Sequence, residues 1–306
     1  MKVLVATEKP FSKVAVDQIR EIVEKGGHEL ATLEKYTDVK DLYAAVADAD
    51  ALIVRSDKVT KEVIAAAPKL KIVVRAGAGY DNLDLAACTE RGIVAMNTPG
   101  QNSNAVAELA IGMMIYISRN QFTPGTGSEL KGKTLGIQAY GNVGRLVAAH
   151  AKSFGMKIMA FDPFVPTDRI QADGVEVAAS LEDLYAKSDF VSLHIPATNE
   201  TKGSIGYALL SKMPKGGCLV NTARKEVINE PELVKVLEER QDLKYITDIA
   251  AGNQAELNEK FGKRVFATPK KMGAETAEAN INAGVAAANQ ICDFFATGNR
   301  KFQVNK

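Results

Sequence analysis

Apolar residues in this chain gather into short unbroken runs, and between the runs they recur at helical spacing. Positions 2–6, 30–33, 51–54, 72–74 and 93–95 read as strands, the second of them weak. Between them, 14–25 (ended by Gly26 and Gly27), 41–46, 60–66 (capped by Thr60) and 83–90 read as helices. Strands without polar alternation, each followed by a helix, predict a parallel sheet covered on both faces. Next comes a helix over 105–119, capped by Ser103 or Asn104 and apolar almost all round. Such a helix is expected to be buried, partly against another subunit, with Met113, Met114 and Tyr116 as packing. The stretch 122–128 is the one linker-like segment. Beyond it the alternation resumes, with strands at 134–139, 157–161, 190–194, 218–221 and 245–246. Helices are expected after Gly144, ended by Gly155, and at 181–186, 207–211 and 231–239. A strand within 264–273 breaks at Pro269, and a long helix over 274–295 closes the chain. The pattern predicts an α/β protein with two doubly wound parallel sheets.

One stretch, 134–162, carries recognisable chemistry. Its first strand runs into the turn Tyr140-Gly141-Asn142-Val143-Gly144, then a helix with Val143, Leu146, Val147 and Ala151 on one face, then a strand finishing in Asp162. This is a βαβ unit with a glycine turn at the first strand's carboxyl end. Gly141 lets backbone approach a pyrophosphate, and Gly144 lets the helix pack closely on the strand. The helix amino terminus offers unpaired N–H donors and partial positive charge. Asp162, eighteen residues after Gly144, stands where an acid accepts hydrogen bonds from adenosine ribose hydroxyls. Its charge would repel a 2′-phosphate, so NAD rather than NADP is the expected cofactor. The G-x-G-x-x-G fingerprint departs at its first position, where Ala139 replaces glycine.

The first sheet offers two loops at carboxyl ends of strands, where open α/β sheets bind ligands. Arg55-Ser56 follows one, and Arg75-Ala76-Gly77-Ala78-Gly79-Tyr80 the other. The arginines suit a bidentate grip on phosphate or carboxylate, and the glycines expose backbone N–H groups. The competing reading is that the arginines are solvated and the glycines only turn the chain.

Composition narrows the field. The 306 residues suffice for two cores, and apolar and charged fractions of 46% and 25% are those of a globular protein. A net charge of +1 gives no general reason to expect nucleic acid or a membrane surface as partner. Cys88, Cys218 and Cys292 are scattered, so neither a disulfide framework nor a zinc site is suggested, and no metal is expected. The amino-terminal run is a strand rather than a signal peptide, and the helix at 105–117 contains Glu108 and is too short for a bilayer. A cytoplasmic protein acting on a small molecule is expected. His28 and His150 lack partner spacing for a metal or triad, and G-x-S-x-G, H-E-x-x-H and Walker sequences do not occur.

Five blocks, LIVRSDKVT (52–60), APKLKIVVRAGAGYDNLDL (67–85), RGIVAMNTPGQNSNAVAEL (91–109), SDFVSLHIPATNETKGSIG (188–206) and LVNTARKEVINEPEL (219–233), together resemble the D-isomer-specific 2-hydroxyacid dehydrogenase family. The likeness covers essentially the whole chain. It implies a flavodoxin-like substrate domain, 1–97 with 280–306, into which a Rossmann NAD domain, 98–279, is inserted. It implies a catalytic arginine, matched by Arg224, that binds the substrate's carboxylate and carbonyl oxygen. Cofactor contacts fall on Gly141, Asn142, Val143, Gly144, Asp162, His194, Thr222, Ala223 and Asp248, the last meeting the nicotinamide amide. Arg55, Ser56 and Arg75 match residues that hold a substrate phosphate, and Ala78 and Gly79 match backbone that meets the carboxylate. The implied activity is NAD-dependent oxidation of D-3-phosphoglycerate to 3-phosphohydroxypyruvate. Reduction of an unphosphorylated 2-keto acid, or silent NAD(H) sensing, are the alternatives. A homodimer is also implied. Longer members carry added carboxyl-terminal regulatory domains; this sequence stops at Lys306, so feedback through such a domain is not expected.

Three departures stand out. The family's T-P-H is Thr268-Pro269-Lys270, which puts Lys270 in the acid/base position. The glutamate that partners the histidine is replaced by Asn253, with Glu256 nearby if the loop is re-routed. The stretch before Lys133, which normally contributes to the dimer contact, is short. The first two departures are mutually consistent. A lysine starts near ~10.4 and holds its proton too tightly beside a carboxylate, whereas removing the acid and gathering Arg224, Lys225 and Lys271 lowers that affinity, as would partial desolvation. Lys270 would then accept the C2 hydroxyl proton as hydride leaves for NAD, with Arg224 stabilising the carbonyl oxygen. A solvated, inactive Lys270 is the opposing expectation.

Overall fold

The computed structural model describes residues 1–305; Lys306, the last residue of the expected substrate domain, lies outside them. The chain opens with β1 (Lys2–Thr7), α1 (Lys13–Lys25), β2 (Glu29–Glu34), α2 (Val39–Val46), β3 (Ala51–Val54), α3 (Lys61–Ala65), β4 (Ile72–Arg75), α4 (Leu85–Glu90) and β5 (Val94–Asn97). There follow α5 (Ser103–Ser118), β6 (Thr134–Gln138), α6 (Asn142–Ser153), β7 (Lys157–Phe161), α7 (Thr167–Ala172), β8 (Glu176–Val177), α8 (Leu181–Lys187) and β9 (Phe190–Leu193). The remainder is α9 (Tyr207–Leu210), β10 (Cys218–Asn221), α10 (Glu230–Glu239), β11 (Lys244–Thr247), α11 (Gln254–Phe261), β12 (Val265–Ala267) and α12 (Ala277–Thr297). These elements form two compact units. One joins Met1–Asn102 to the chain from Thr276 onward, and the other is Ser103–Glu275.

The first unit is a five-stranded sheet in the order β2-β1-β3-β4-β5, parallel throughout. Its strands are apolar on both faces. Val3, Val5, Ile53 and Val74 point into one layer with Ile19 of α1 and Ala287 and Ile291 of α12. Leu4, Leu52 and Val73 point into the other, against Leu42 and Ile64. That is why the runs read as continuous rather than alternating. Helix α1 forms because Ser12 accepts from the Ala15 N–H and Ala15, Ile19 and Val23 fall on one buried stripe. The β5 edge is closed by the chain's last described residues. Val304 N–H donates to Ala95 O at 2.8 Å, and the Asn305 carboxamide takes the Ala95 N–H (2.8 Å) and gives to Ile93 O (2.9 Å).

The second unit is a seven-stranded parallel sheet in the order β12-β11-β10-β9-β6-β7-β8. The strand order reverses between β6 and β9, which sets a crevice at their carboxyl ends. The apolar helix α5 lies in its own unit's core, with Ala107, Ala110, Met113, Met114 and Ile117 buried. Tyr116 packs edge-on against Phe266 and Phe122.

Several local expectations are corrected. Thr60 precedes α3, but its hydroxyl is turned to Glu62 at 2.6 Å and caps no N–H. Ser103 and Asn104 lie inside α5, and the Asn104 carboxamide engages Glu108 and His150. Helix α4 starts at Leu85 because Asp84 caps it, and α12 starts at Ala277 because Thr276 caps it. Helices α7 and α11 and the two-residue β8 had no expectation. The stretch 122–128 is a loop of the second unit, closed by Ser128 N–H to Ser118 O at 2.8 Å. Among the described residues no helix is long and apolar enough to cross a membrane.

Candidate active site

Six loops of the second unit leave the carboxyl ends of six strands of one parallel sheet, and every cofactor or catalytic position expected from the sequence lies on them or in the first turn of α6. The loop after β6 is the glycine turn. Ala139 adopts φ +75, the left-handed conformation for which the fingerprint uses glycine. Its N–H donates to Phe161 O at 3.0 Å. The next N–H, of Tyr140, donates to Asp162 Oδ2 at 2.7 Å. The buried Tyr140 ring reaches Asp173 through its hydroxyl at 3.1 Å, and burial pushes that phenol up to about 12. These ties hold the strained residue in place. Gly144 is required by close approach, because a Cβ there would collide with Ala139 O and meet Ile137 Cγ2 at 3.0 Å. Gly141 opens α6 without a side-chain cap, and a Cβ on it would meet nothing within 4 Å. Asn142 is exposed and Val143 half-buried, and no side chain caps the first N–H groups of α6.

Asp162 at the end of β7 accepts from Tyr140 N–H and, through Oδ1, from Phe164 N–H at 2.8 Å. Each oxygen keeps lone pairs for a further donor. His194, just past β9, shares a 3.0 Å hydrogen bond between Nε2 and Ser192 Oγ, and burial pushes its imidazole down to about 3. It is a neutral lining residue.

The loops after β10, β11 and β12 meet. Asn221 shapes the first, accepting from Ala223 N–H at 3.0 Å and donating to Arg224 O at 3.0 Å. Arg224 Nη1 turns back to Ala223 O at 2.9 Å. Asp248 is fully buried, with Oδ2 accepting from Gly273 N–H at 2.9 Å. Burial pushes its carboxyl pKa up, against the pull of the Lys271 ammonium, two backbone N–H groups and Arg224. Thr268 ties the loops together, its hydroxyl lying 2.8 Å from Asp248 O and 2.7 Å from Lys270 O. Two buried atoms here have no hydrogen-bond partner, Asp248 Oδ1 and Thr222 Oγ1. Unmet acceptors of this kind are costly unless a ligand meets them. They fit a cofactor with amide donors, as the uncapped helix fits its phosphates.

Lys270 is exposed, which does not meet the expectation of a desolvated amine. The lysine brought to Ala223 O is its neighbour Lys271, at 3.3 Å. Lys225 is exposed on a short 3-10 turn. Asn253 precedes α11, its Oδ1 buried without a partner. Glu256 is engaged with Lys260 at 2.9 Å and lies 3.4 Å from Asn253 Nδ2.

In the first unit, the loops after the paired strands β3 and β4 hold the remaining candidates. Arg75 Nε donates to Arg55 O at 3.0 Å, and its guanidinium fills the space a Cβ on Gly77 would need. The Arg55 guanidinium is held by its own unit. Nη1 reaches Lys9 O (3.1 Å) and Pro10 O (3.3 Å), and Nη2 reaches Asn280 Oδ1 (2.5 Å). Ser56 and Ala78 are exposed and Gly79 is half-buried. Asp57, which drew no attention in the sequence, anchors this loop. Its buried carboxylate accepts from Glu8 N–H (2.7 Å), Tyr36 OH (2.8 Å) and Arg55 N–H (3.3 Å). An acid directly after an Arg-Ser pair was the available signal. Nothing local marked Asn280, whereas Lys271 was expected near Lys270 only as a neighbouring charge.

A parallel sheet with its switch point beneath a glycine turn and an acid after the next strand is the arrangement in which doubly wound sheets bind dinucleotides. The model of the D-isomer specific 2-hydroxyacid dehydrogenase NAD binding domain matches residues 101–270, and the chain belongs to that family. A D-3-phosphoglycerate dehydrogenase of Methanocaldococcus jannaschii is 38% identical over 291 residues, 90% of this chain and 55% of that protein. A hydroxypyruvate reductase of Thermotoga maritima is 36% identical over 281 residues, 86% of this chain and 90% of that protein. A crystal structure of NAD+-bound 3-phosphoglycerate dehydrogenase from Entamoeba histolytica is similar at TM-score 0.90 and 54% identity, over 100% of this chain and 99% of that one. The chain spans about half the length of the phosphoglycerate dehydrogenases first among its curated relatives.

Proposed function

We propose that this protein oxidises D-3-phosphoglycerate to 3-phosphohydroxypyruvate with NAD, the opening step of serine synthesis, acting in the cytoplasm as a homodimer. The observation that carries the reading is the convergence of Arg224, Asp248 and the Thr268–Lys271 loop around two unmet buried acceptors in a family dehydrogenase sheet. NAD bound on the second unit would take up the hydride from C2. The first N–H groups of α6 would receive its pyrophosphate, Asp162 the adenosine ribose, and Asp248 Oδ1 with Thr222 Oγ1 its nicotinamide amide. Arg224 would hold the substrate's carboxylate and steady charge on the C2 oxygen, while Lys270 takes the C2 hydroxyl proton. The backbone of Ala78 and Gly79 would meet the substrate's carboxylate, and Arg75 and Ser56 would bind its phosphate. Arg55 would join them through donors its present partners leave over.

A second reading, reduction of an unphosphorylated 2-keto acid, is favoured by the engagement of Arg55 with Lys9, Pro10 and Asn280. It is also favoured by the likeness to a hydroxypyruvate reductase of nearly the same span. Initial rates of NADH oxidation with 3-phosphohydroxypyruvate and with hydroxypyruvate decide between them. The proposal expects kcat/KM for the phosphorylated acid to be at least about a hundredfold higher, the worth of two charge-assisted phosphate contacts. Equal values, or a preference for hydroxypyruvate, would select the second reading.

A further inference from the structure

Asp57 and its neighbours tie together four loops of the first unit. Oδ1 of Asp57 accepts from Glu8 N–H at 2.7 Å and from the Tyr36 hydroxyl at 2.8 Å, in the loops after β1 and β2. Oδ2 accepts from Arg55 N–H at 3.3 Å, in the loop after β3. The loop after β4 closes on the same segment. Asn82 Nδ2 donates to Asp57 O at 2.7 Å and Arg55 O at 3.3 Å, and Arg75 Nε donates to Arg55 O at 3.0 Å. The Arg55 guanidinium is seated mainly by the β1 loop. Lys9 O and Pro10 O accept from Nη1, and Cζ lies 5.3 Å from the Phe11 ring centroid, while Nη2 reaches Asn280 on α12. That loop begins at Glu8, whose N–H is held by Asp57. One buried carboxylate therefore fixes Arg55 twice, its main chain through Oδ2 and the seat of its head through Oδ1. A carboxylate can do this because both its oxygens accept, whereas a carboxamide sets an N–H against one of these donors.

We infer that Asp57 is the positioning residue for phosphate recognition, holding Arg55 and Ser56 where the substrate's phosphate is met. This rests on the proposed phosphoglycerate reading and deepens it. Asp57 acts through its neighbours and not on the reacting atoms. Its loss therefore weakens ground-state and transition-state binding of the phosphorylated acid alike, raising KM and sparing kcat. An acid without a phosphate is bound as before.

The test is Asp57→Asn, which keeps the size of the side chain, measured by steady-state kinetics with 3-phosphohydroxypyruvate and with hydroxypyruvate. Calorimetric binding of 3-phosphoglycerate and of D-glycerate is measured beside it in saturating NADH, where both partners are reduced and cannot react. The expected result is a rise of about tenfold to a hundredfold in KM for the phosphorylated acid and in the 3-phosphoglycerate Kd, the worth of one charged contact. The hydroxypyruvate constants, the D-glycerate Kd and NADH affinity should match the parent's. Asn82→Ser releases the same segment from its carbonyl side and should give the same pattern at about threefold to tenfold, the worth of a neutral hydrogen bond. It decides the matter if Asp57→Asn does not fold. A preference for the phosphorylated acid within about twofold of the parent's overturns the inference and leaves the phosphoglycerate reading standing, because no contact would then have been lost. So does an equal loss on both keto acids, which is what a general loosening of the unit gives. A parent with no preference for the phosphorylated acid refutes the reading and this inference with it. A parent that turns over neither keto acid, yet binds 3-phosphoglycerate in an Asp57-dependent way, refutes the reading and upholds the inference.

Discussion

Single residues here carry opposite kinds of tension. Ala139 holds a left-handed backbone that costs an L-residue about 1–2 kcal/mol, and its hydrogen bond to Phe161 O offsets part of that cost. Asp248 keeps a carboxylate in a fully buried position with one oxygen unmet. His194 keeps a neutral ring whose proton affinity burial has suppressed to about 3. For a histidine with a depressed folded value, stability is present above the unfolded value near ~6.5 and is lost as pH falls toward 3. Below pH ~6 the parent should therefore lose up to about 1.4 kcal/mol of stability per pH unit from this group. Urea midpoints measured between pH 7 and 4.5 check this. A His194→Gln variant should show a flatter decline, and parallel declines in parent and variant would refute the assignment.

Elements explain what the sequence disclosed and what it withheld. The βαβ unit was legible because its requirements are local. Strand, turn, helix and acid follow one another, and β7 starts and ends where the apolar run does. Gly144 shows the constraint most sharply, since α6 can lie on β6 only if position 144 has no side chain. A Gly144→Ala substitution should push the helix off the strand, lowering stability by about 1–3 kcal/mol and weakening NADH binding, both readable in one denaturation and titration series. Unchanged NADH affinity would mean that α6 does not set the pyrophosphate site. Short elements were not legible. The two-residue β8 and helix α7 carry too few apolar positions to show a period, and β8 depends on pairing with β7. Helix α11 buries only Leu257 and Phe261, so its sequence reads as a polar loop. The roles of Lys271, Asp57 and Asn280 depend on loops meeting in space.

At the scale of the molecule, the chain leaves its first unit after Asn102 and returns to it at Thr276, so a second α/β sheet is inserted within the first unit's sequence. Each sheet carries candidate residues on the loops at its strands' carboxyl ends, the first with arginines and exposed backbone, the second with the glycine turn and the loops of Arg224, Asp248 and Lys270. The family's usual histidine and its glutamate are both missing, so the account stands on Lys270 moving the proton. The measurement that tests this most directly is single-turnover hydride transfer from NADH to 3-phosphohydroxypyruvate in a Lys270→Ala variant, with NADH affinity determined on the same sample. The account predicts NADH affinity equal to the parent's and a transfer rate lower by at least about a hundredfold, the contribution of a positioned acid/base group. A transfer rate equal to the parent's, with NADH bound as tightly, would contradict it.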